Sequence, residues 1–239
     1  MPNKVPCNLD RVTRPGGYRA HVADSVLGVA RELAISPEHL DKPAEAAEDW
    51  SLEPEARCLL LGLIRSIKPR CYVEIGAYRG QTAIAVAEAM VRNGHGTAYA
   101  IEPDRGLATQ IRETADARNL PLRVLSVTSS EAFDQWGREP VDMVLVDGDH
   151  SLSSTVFDIA AWATLLAPDG WMLLHDTVTR LTRRFPEDYI AIPSMFDILD
   201  VVGLGERPSG HVWEGLSFMR WSEDSRDRLR RRFEREASI

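Results

Sequence analysis

The stretch "CYVEIGAYRGQTAIAVAEAMVRNG", residues 71–94, decides the fold. It opens with a short β-branched run, turns at Gly76 and Gly80, and continues as an Ala-rich helical segment. The segment stops at Asn93-Gly94, a sequence suited to a left-handed helix end. One strand, a tight turn and one helix make the first half of a strand–helix–strand unit. The same alternation recurs downstream: strands over 97–103, 122–127, 141–146 and 170–177, with helices over 105–119, 130–136 and 152–167. Repeated units of this kind predict a parallel sheet with helices on both faces.

Outward from this block the pattern changes. Residues 1–68 lack strand signals, and helical apolar spacing over 24–35 and 54–67 predicts an N-terminal helical cap. Residues 200–221 read as two strands around Pro208-Ser209-Gly210, an antiparallel hairpin. The arginine- and glutamate-rich tail, 222–239, reads as a charged helix with a solvated face. The main domain is then 69–221.

Of 239 residues, 44% are hydrophobic and 27% charged, with a net charge of −8. This is the composition of a globular protein, and the acidic balance argues against a nucleic-acid ligand. The three cysteines are scattered with no CxxC spacing, as expected of reduced thiols in a cytoplasm. The N-terminus has no signal-type apolar core, and no apolar run approaches the ~18 residues of a membrane span.

In open α/β sheets ligands bind at the carboxyl ends of the strands. Those ends carry Glu74 to Gly80, Glu102, Thr128-Ser129, Asp147-Gly148-Asp149-His150, and His175-Asp176-Thr177. Gly76 and Gly80 allow close backbone approach, and the following helix offers free N–H groups. Glu102 stands 102 − 80 = 22 residues beyond Gly80, near the ~20 expected of an acid that binds ribose hydroxyls. The G-x-x-x-G spacing fails the dinucleotide fingerprint, and Glu74 would repel a pyrophosphate, so a cationic nucleoside ligand fits better.

These features resemble the class I S-adenosylmethionine-dependent methyltransferases over roughly 70–221. The resemblance implies a Rossmann-like, doubly wound, mostly parallel seven-stranded sheet closed by an antiparallel hairpin. It implies that Glu74 faces the methionine ammonium, that Gly76, Ala77 and Gly80 line the cofactor with Thr82 nearby, that Glu102 holds the ribose, and that Thr128 and Ser129 edge the adenine.

If the fourth and fifth strands are neighbours, Asp147 and His175-Asp176 flank one point, where a divalent ion would relieve the crowding of negative charge. A metal also activates a hydroxyl nucleophile, and a nearby imidazole can take its proton. "DGDHS" with "LLHDT" looks most like the metal-dependent O-methyltransferases of sugars. That resemblance implies Asp147, His175 and Asp176 as ligands and His150 as base. The expected ion is magnesium, but His175 stands where the family often has Glu, which makes manganese, iron or zinc more plausible. The plainer roles are helix capping by Asp147 and Asp149, a structural hydrogen bond from His150, and an interior histidine at 175. The segment 178–193 would lie over the acceptor, a small molecule and expectedly a saccharide. A homodimer through the cap and this segment is a family-level expectation only. The rivals are a metal-independent methyltransferase of phenol, nitrogen or carbon acceptors, a nicotinamide-dependent oxidoreductase, and a non-catalytic binding protein.

Overall fold

The computed structural model describes residues 52, 54–137, 139–149, 151–175, 197–202 and 216–220. The expected helix over 24–35, the hairpin turn at 208–210, the segment 178–193 and the tail 222–239 lie outside the described residues, as do His150 and Asp176.

Chain order is α1 (Pro54–Ile67), β1 (Cys71–Ile75), α2 (Gln81–Asn93), β2 (Thr97–Ile101), α3 (Arg105–Ala117), β3 (Leu122–Leu125), α4 (Ser129–Gln135), β4 (Val141–Val146), α5 (Leu152–Ala163), β5 (Leu166–His175), β6 (Asp197–Val202) and β7 (Leu216–Arg220). The strands lie in the order β3-β2-β1-β4-β5-β7-β6. The first five are parallel, while β7 runs antiparallel to both β5 and β6. From β1 the chain winds outward through β2 and β3, then returns to place β4 on the other side of β1. The crevice of a doubly wound sheet opens at such a reversal.

Burial on both faces explains the near-continuous apolar strands. Val73, Ile75, Val144, Val146, Met172 and Leu174 pack on one face with Ile159 and Trp162 of α5. Tyr72, Met143, Leu145 and Leu173 pack on the other with Leu60 and Ile64 of α1 and Val86 and Met90 of α2. Because side chains alternate along a strand, Glu74, Asp147 and His175 continue the second set, on the α1–α2 side.

The largest boundary difference from the sequence expectation lies between the fifth helix and β5. The fifth helix ends at Ala163, and β5 begins at Leu166. The amides of Thr164 and Leu165 turn back to Ala161 O and Trp162 O at 3.0 and 3.1 Å, closing the helix early. Leu166 then pairs with Val141, and the register slips before Met143 meets Trp171. Asp169 adopts φ 61° in the irregular stretch between, so Pro168 and Gly170 interrupt a strand rather than precede it.

Gly76 has φ +84°, and a β-carbon there would stand 2.2 Å from the backbone oxygen of Asp147. Gly76→Ala should therefore cost at least ~2 kcal/mol of stability, measured by urea unfolding. A change below ~0.5 kcal/mol would contradict this packing of the β1 and β4 tips.

Candidate cofactor and acceptor site

The turn after β1 is built by its backbone. The amides of Gly76 and Ala77 both donate to Ile101 O, at 3.0 and 3.1 Å, and Gly80 N donates to Ala77 O at 2.7 Å. Asp147 N donates to Ile75 O at 3.0 Å, carrying the β1–β4 pairing one residue past the strands. These contacts leave a cavity of about 810 Å³ over the sheet edge, a size that suits a nucleoside-bearing ligand. Its wall includes Gly76, Tyr78, Glu102, Thr128, Ser129 and Asp147, together with Pro103, Gly148, Asp149, Phe157 and Asp158.

Glu102 is 7% exposed. One carboxylate oxygen accepts from Tyr78 N at 2.7 Å and the other from Asp104 N at 2.9 Å. A carboxylate oxygen has two acceptor sites, so each retains capacity for a ribose hydroxyl while the backbone fixes its aim.

Thr128 and Ser129 reach the cavity but also have structural roles. Thr128 caps α4, accepting from Glu131 N at 3.3 Å and donating its hydroxyl to the Glu131 carboxylate at 2.8 Å. Ser129 Oγ accepts from Trp162 Nε1 at 2.8 Å.

Glu74, Ala77, Gly80 and Thr82, expected beside the cofactor, are not in the cavity wall. Gly80 has φ +73°, and a β-carbon on it would stand 2.6 Å from Ile111. Its glycine serves the approach of α2 to α3. Ala77 and Thr82 are buried at 4% exposure each. The Glu74 carboxylate is buried and accepts from the Tyr72 hydroxyl at 2.9 Å. Burial first, and then the charge of Asp147, push its pKa from 4.5 to about 8, against the Tyr72 hydroxyl, the Ala83 amide and Arg57.

The expected neighbourhood of the β4 and β5 tips is present. His175 Nδ1 and Asp147 Oδ1 stand 2.9 Å apart, with side chains 7% and 13% exposed. Asp149 braces the start of α5 rather than capping the helix directly. Ser151 N donates to it at 3.1 Å, and the hydroxyls of Ser151 and Ser154 at 2.8 Å each. Ser151 itself is the N-cap of α5. Among the described residues no three His, Cys, Asp or Glu side chains cluster as a metal would require; Asp176 is outside that set.

Sequence reasoning missed Asp158 and Phe157. Asp158 is 3% exposed, and burial, then the charge of Asp149, raise its pKa from 3.8 to about 6 against a hydrogen bond from Ser129. Its signal was available: an acid at the same helical spacing as the buried Thr155, Ile159 and Trp162 breaks an otherwise apolar face. Phe157, 38% exposed, offers an aromatic side to the cavity.

Residues 73–177 match the family model described as "Methyltransferase domain". "Uncharacterized protein y4gI" of Sinorhizobium fredii is 27% identical over 129 residues, 49% of this chain but only 14% of that protein. "Putative O-methyltransferase" of Mycobacterium sp. (strain JLS) is 26% identical over 166 residues, 67% of this chain and 74% of that protein. Among solved structures, the O-methyltransferase TomG from Streptomyces achromogenes, in complex with S-adenosylmethionine, superposes with a TM-score of 0.58 at 16% identity, covering 90% of this chain and 94% of that one. The N-methyltransferase NodS from Bradyrhizobium japonicum WM9 gives 0.56 at 16% identity, over 74% and 99%. The fold is thus the α/β, Rossmann-like fold of those methyltransferase structures, with five parallel strands. No described helix is long and apolar enough to cross a membrane.

A carboxyl with a raised folded-state pKa stabilises the fold below its unfolded pKa, and that contribution fades as pH rises through the folded value. Glu74 should therefore make stability fall between its ordinary 4.5 and about 8. Denaturant midpoints across this range should decline more steeply for the wild type than for Glu74→Gln; equal slopes would contradict the assignment.

Proposed function

We propose that this chain is an S-adenosylmethionine-dependent O-methyltransferase that methylates a small-molecule hydroxyl, that of a saccharide, with a divalent metal and His150 as general base. The observation that carries the reading is the contact of Asp147 with His175 at neighbouring strand tips, beside a cavity whose other wall holds Glu102.

The donor set suits a metal. Asp147 Oδ1 and His175 Nδ1, 2.9 Å apart, are the two described groups that would hold it. Asp176, next along the chain, would be the third ligand. Magnesium is the expected ion, with manganese, iron or zinc made more plausible by the imidazole. A bound ion would supply Lewis acidity to the acceptor hydroxyl. The protein does the rest: Glu102 fixes the ribose, the β1 turn leaves room for the methionine end, and His150, three residues after Asp147 in the sequence, is the proposed base. The hydroxyl oxygen bonds to the methyl carbon as the carbon–sulfur bond breaks. Its electron pair goes to sulfur, giving S-adenosylhomocysteine, and the hydroxyl proton goes to His150. The acidic charge of −8 suits a neutral acceptor better than a polyanion. Segment 178–193 as a cover for that acceptor, and a dimer, belong to the same proposal.

One observation favours a metal-independent enzyme. As a neutral imidazole, His175 can donate Nδ1–H to Asp147 at the same 2.9 Å, a contact complete without an ion.

The test is transfer of labelled methyl to a panel of saccharides, phenols and amines, with and without chelator. Saccharide methylation that chelation abolishes and manganese or magnesium restores supports the proposal. Labelling that survives chelation, or falls on phenols or amines, supports the alternative. His150→Ala should cut turnover ~100-fold or more while cofactor affinity holds; an unchanged rate removes His150 from catalysis.

A further inference from the structure

Asp158 has no part in the chemistry above, yet it is a buried carboxylate in the wall of the cavity. It sits on α5 beside Ser129, whose hydroxyl donates to it and accepts from Trp162 Nε1 at 2.8 Å. Trp162 is fully buried, so this chain of hydrogen bonds fixes the carboxylate rather than letting it swing to solvent. A β-carbon on Gly148 would come within 3.7 Å of Asp158 Oδ2, so the glycine keeps that oxygen uncovered. The charge acting on it from the described residues is that of Asp149, of the same sign. An acceptor-only group in this position gains from a ligand that brings a hydrogen-bond donor.

The sheet separates the two ends of the cavity. Asp147 and His175 extend the face covered by α1 and α2, where the acceptor and the sulfonium would meet. Ser129, Phe157 and Asp158 come from α4 and α5, on the other face. With Glu102 holding the ribose, the base falls to the α4–α5 end.

We propose that Asp158 reads the base of the S-adenosyl cofactor by accepting a hydrogen bond from the exocyclic amine of adenine, which makes it the residue that sets base specificity. This rests on the functional reading above. Adenine carries an amine donor at position 6. Hypoxanthine carries a carbonyl oxygen there, which would face the carboxylate acceptor to acceptor.

The experiment is calorimetric titration of S-adenosylhomocysteine and S-inosylhomocysteine into the wild type and Asp158→Asn. The wild type should prefer the adenosyl compound by ~10- to 100-fold, the range for a hydrogen bond to a charged group. Asp158→Asn, whose amide can also donate, should bring the ratio close to one or invert it. A merely structural role would weaken both ligands alike and leave the ratio unchanged, which overturns the proposal. So does a wild type that binds the two within about twofold of each other, a result that needs no variant to fold. Failure of the wild type to bind S-adenosylhomocysteine at all is distinguishable from these and overturns the functional reading itself, and this inference with it.

Discussion

The contact between Asp147 and His175 is the constraint around which the sheet edge is arranged. Parallel pairing aligns Glu74 with Leu145 and Ile75 with Val146, which sets Asp147 one residue beyond the end of β4. Pairing of β4 with β5 aligns Val146 with Leu174, and His175 follows as the matching step. Two carboxyl groups on one face of adjacent strands cannot both ionise cheaply without a partner. The structure resolves this unequally. Asp147 takes an imidazole at 2.9 Å, whereas Glu74 is buried under Tyr72 and holds its proton up to about pH 8.

Much of this architecture was legible in the sequence, because alternating strand and helix signals leave few topologies open. The five parallel strands and their helices followed from apolar runs punctuated by glycine. The meeting of Asp147 with His175 followed from assuming that consecutive strands are neighbours. The misplaced start of β5 has a local cause: Pro168 and Gly170 signal a turn, and the irregular β4–β5 register absorbs it inside the strand.

Site residues were less legible than elements. A glycine in a sequence announces an unusual backbone but not what its missing side chain would strike. Gly76 yields to the β4 tip and Gly80 to Ile111 of α3, so only the first belongs to the cavity. Ala77 and Thr82 are neighbours of the motif in sequence, yet the turn directs them inward. Asp158 escaped notice for the opposite reason, since it is carried by a helix remote from any strand-end motif and becomes part of the site only when α5 folds over the sheet edge. Tertiary placement, not residue type, decides these cases.

In the proposed function this edge is an S-adenosyl site in which Glu102, held by two backbone amides, takes the ribose. Its most direct measure is the affinity of S-adenosylhomocysteine for the wild type against Glu102→Ala. Loss of the charge-assisted hydrogen bonds should weaken binding by ~10- to 100-fold in the variant. Equal affinities for the two proteins would contradict the account.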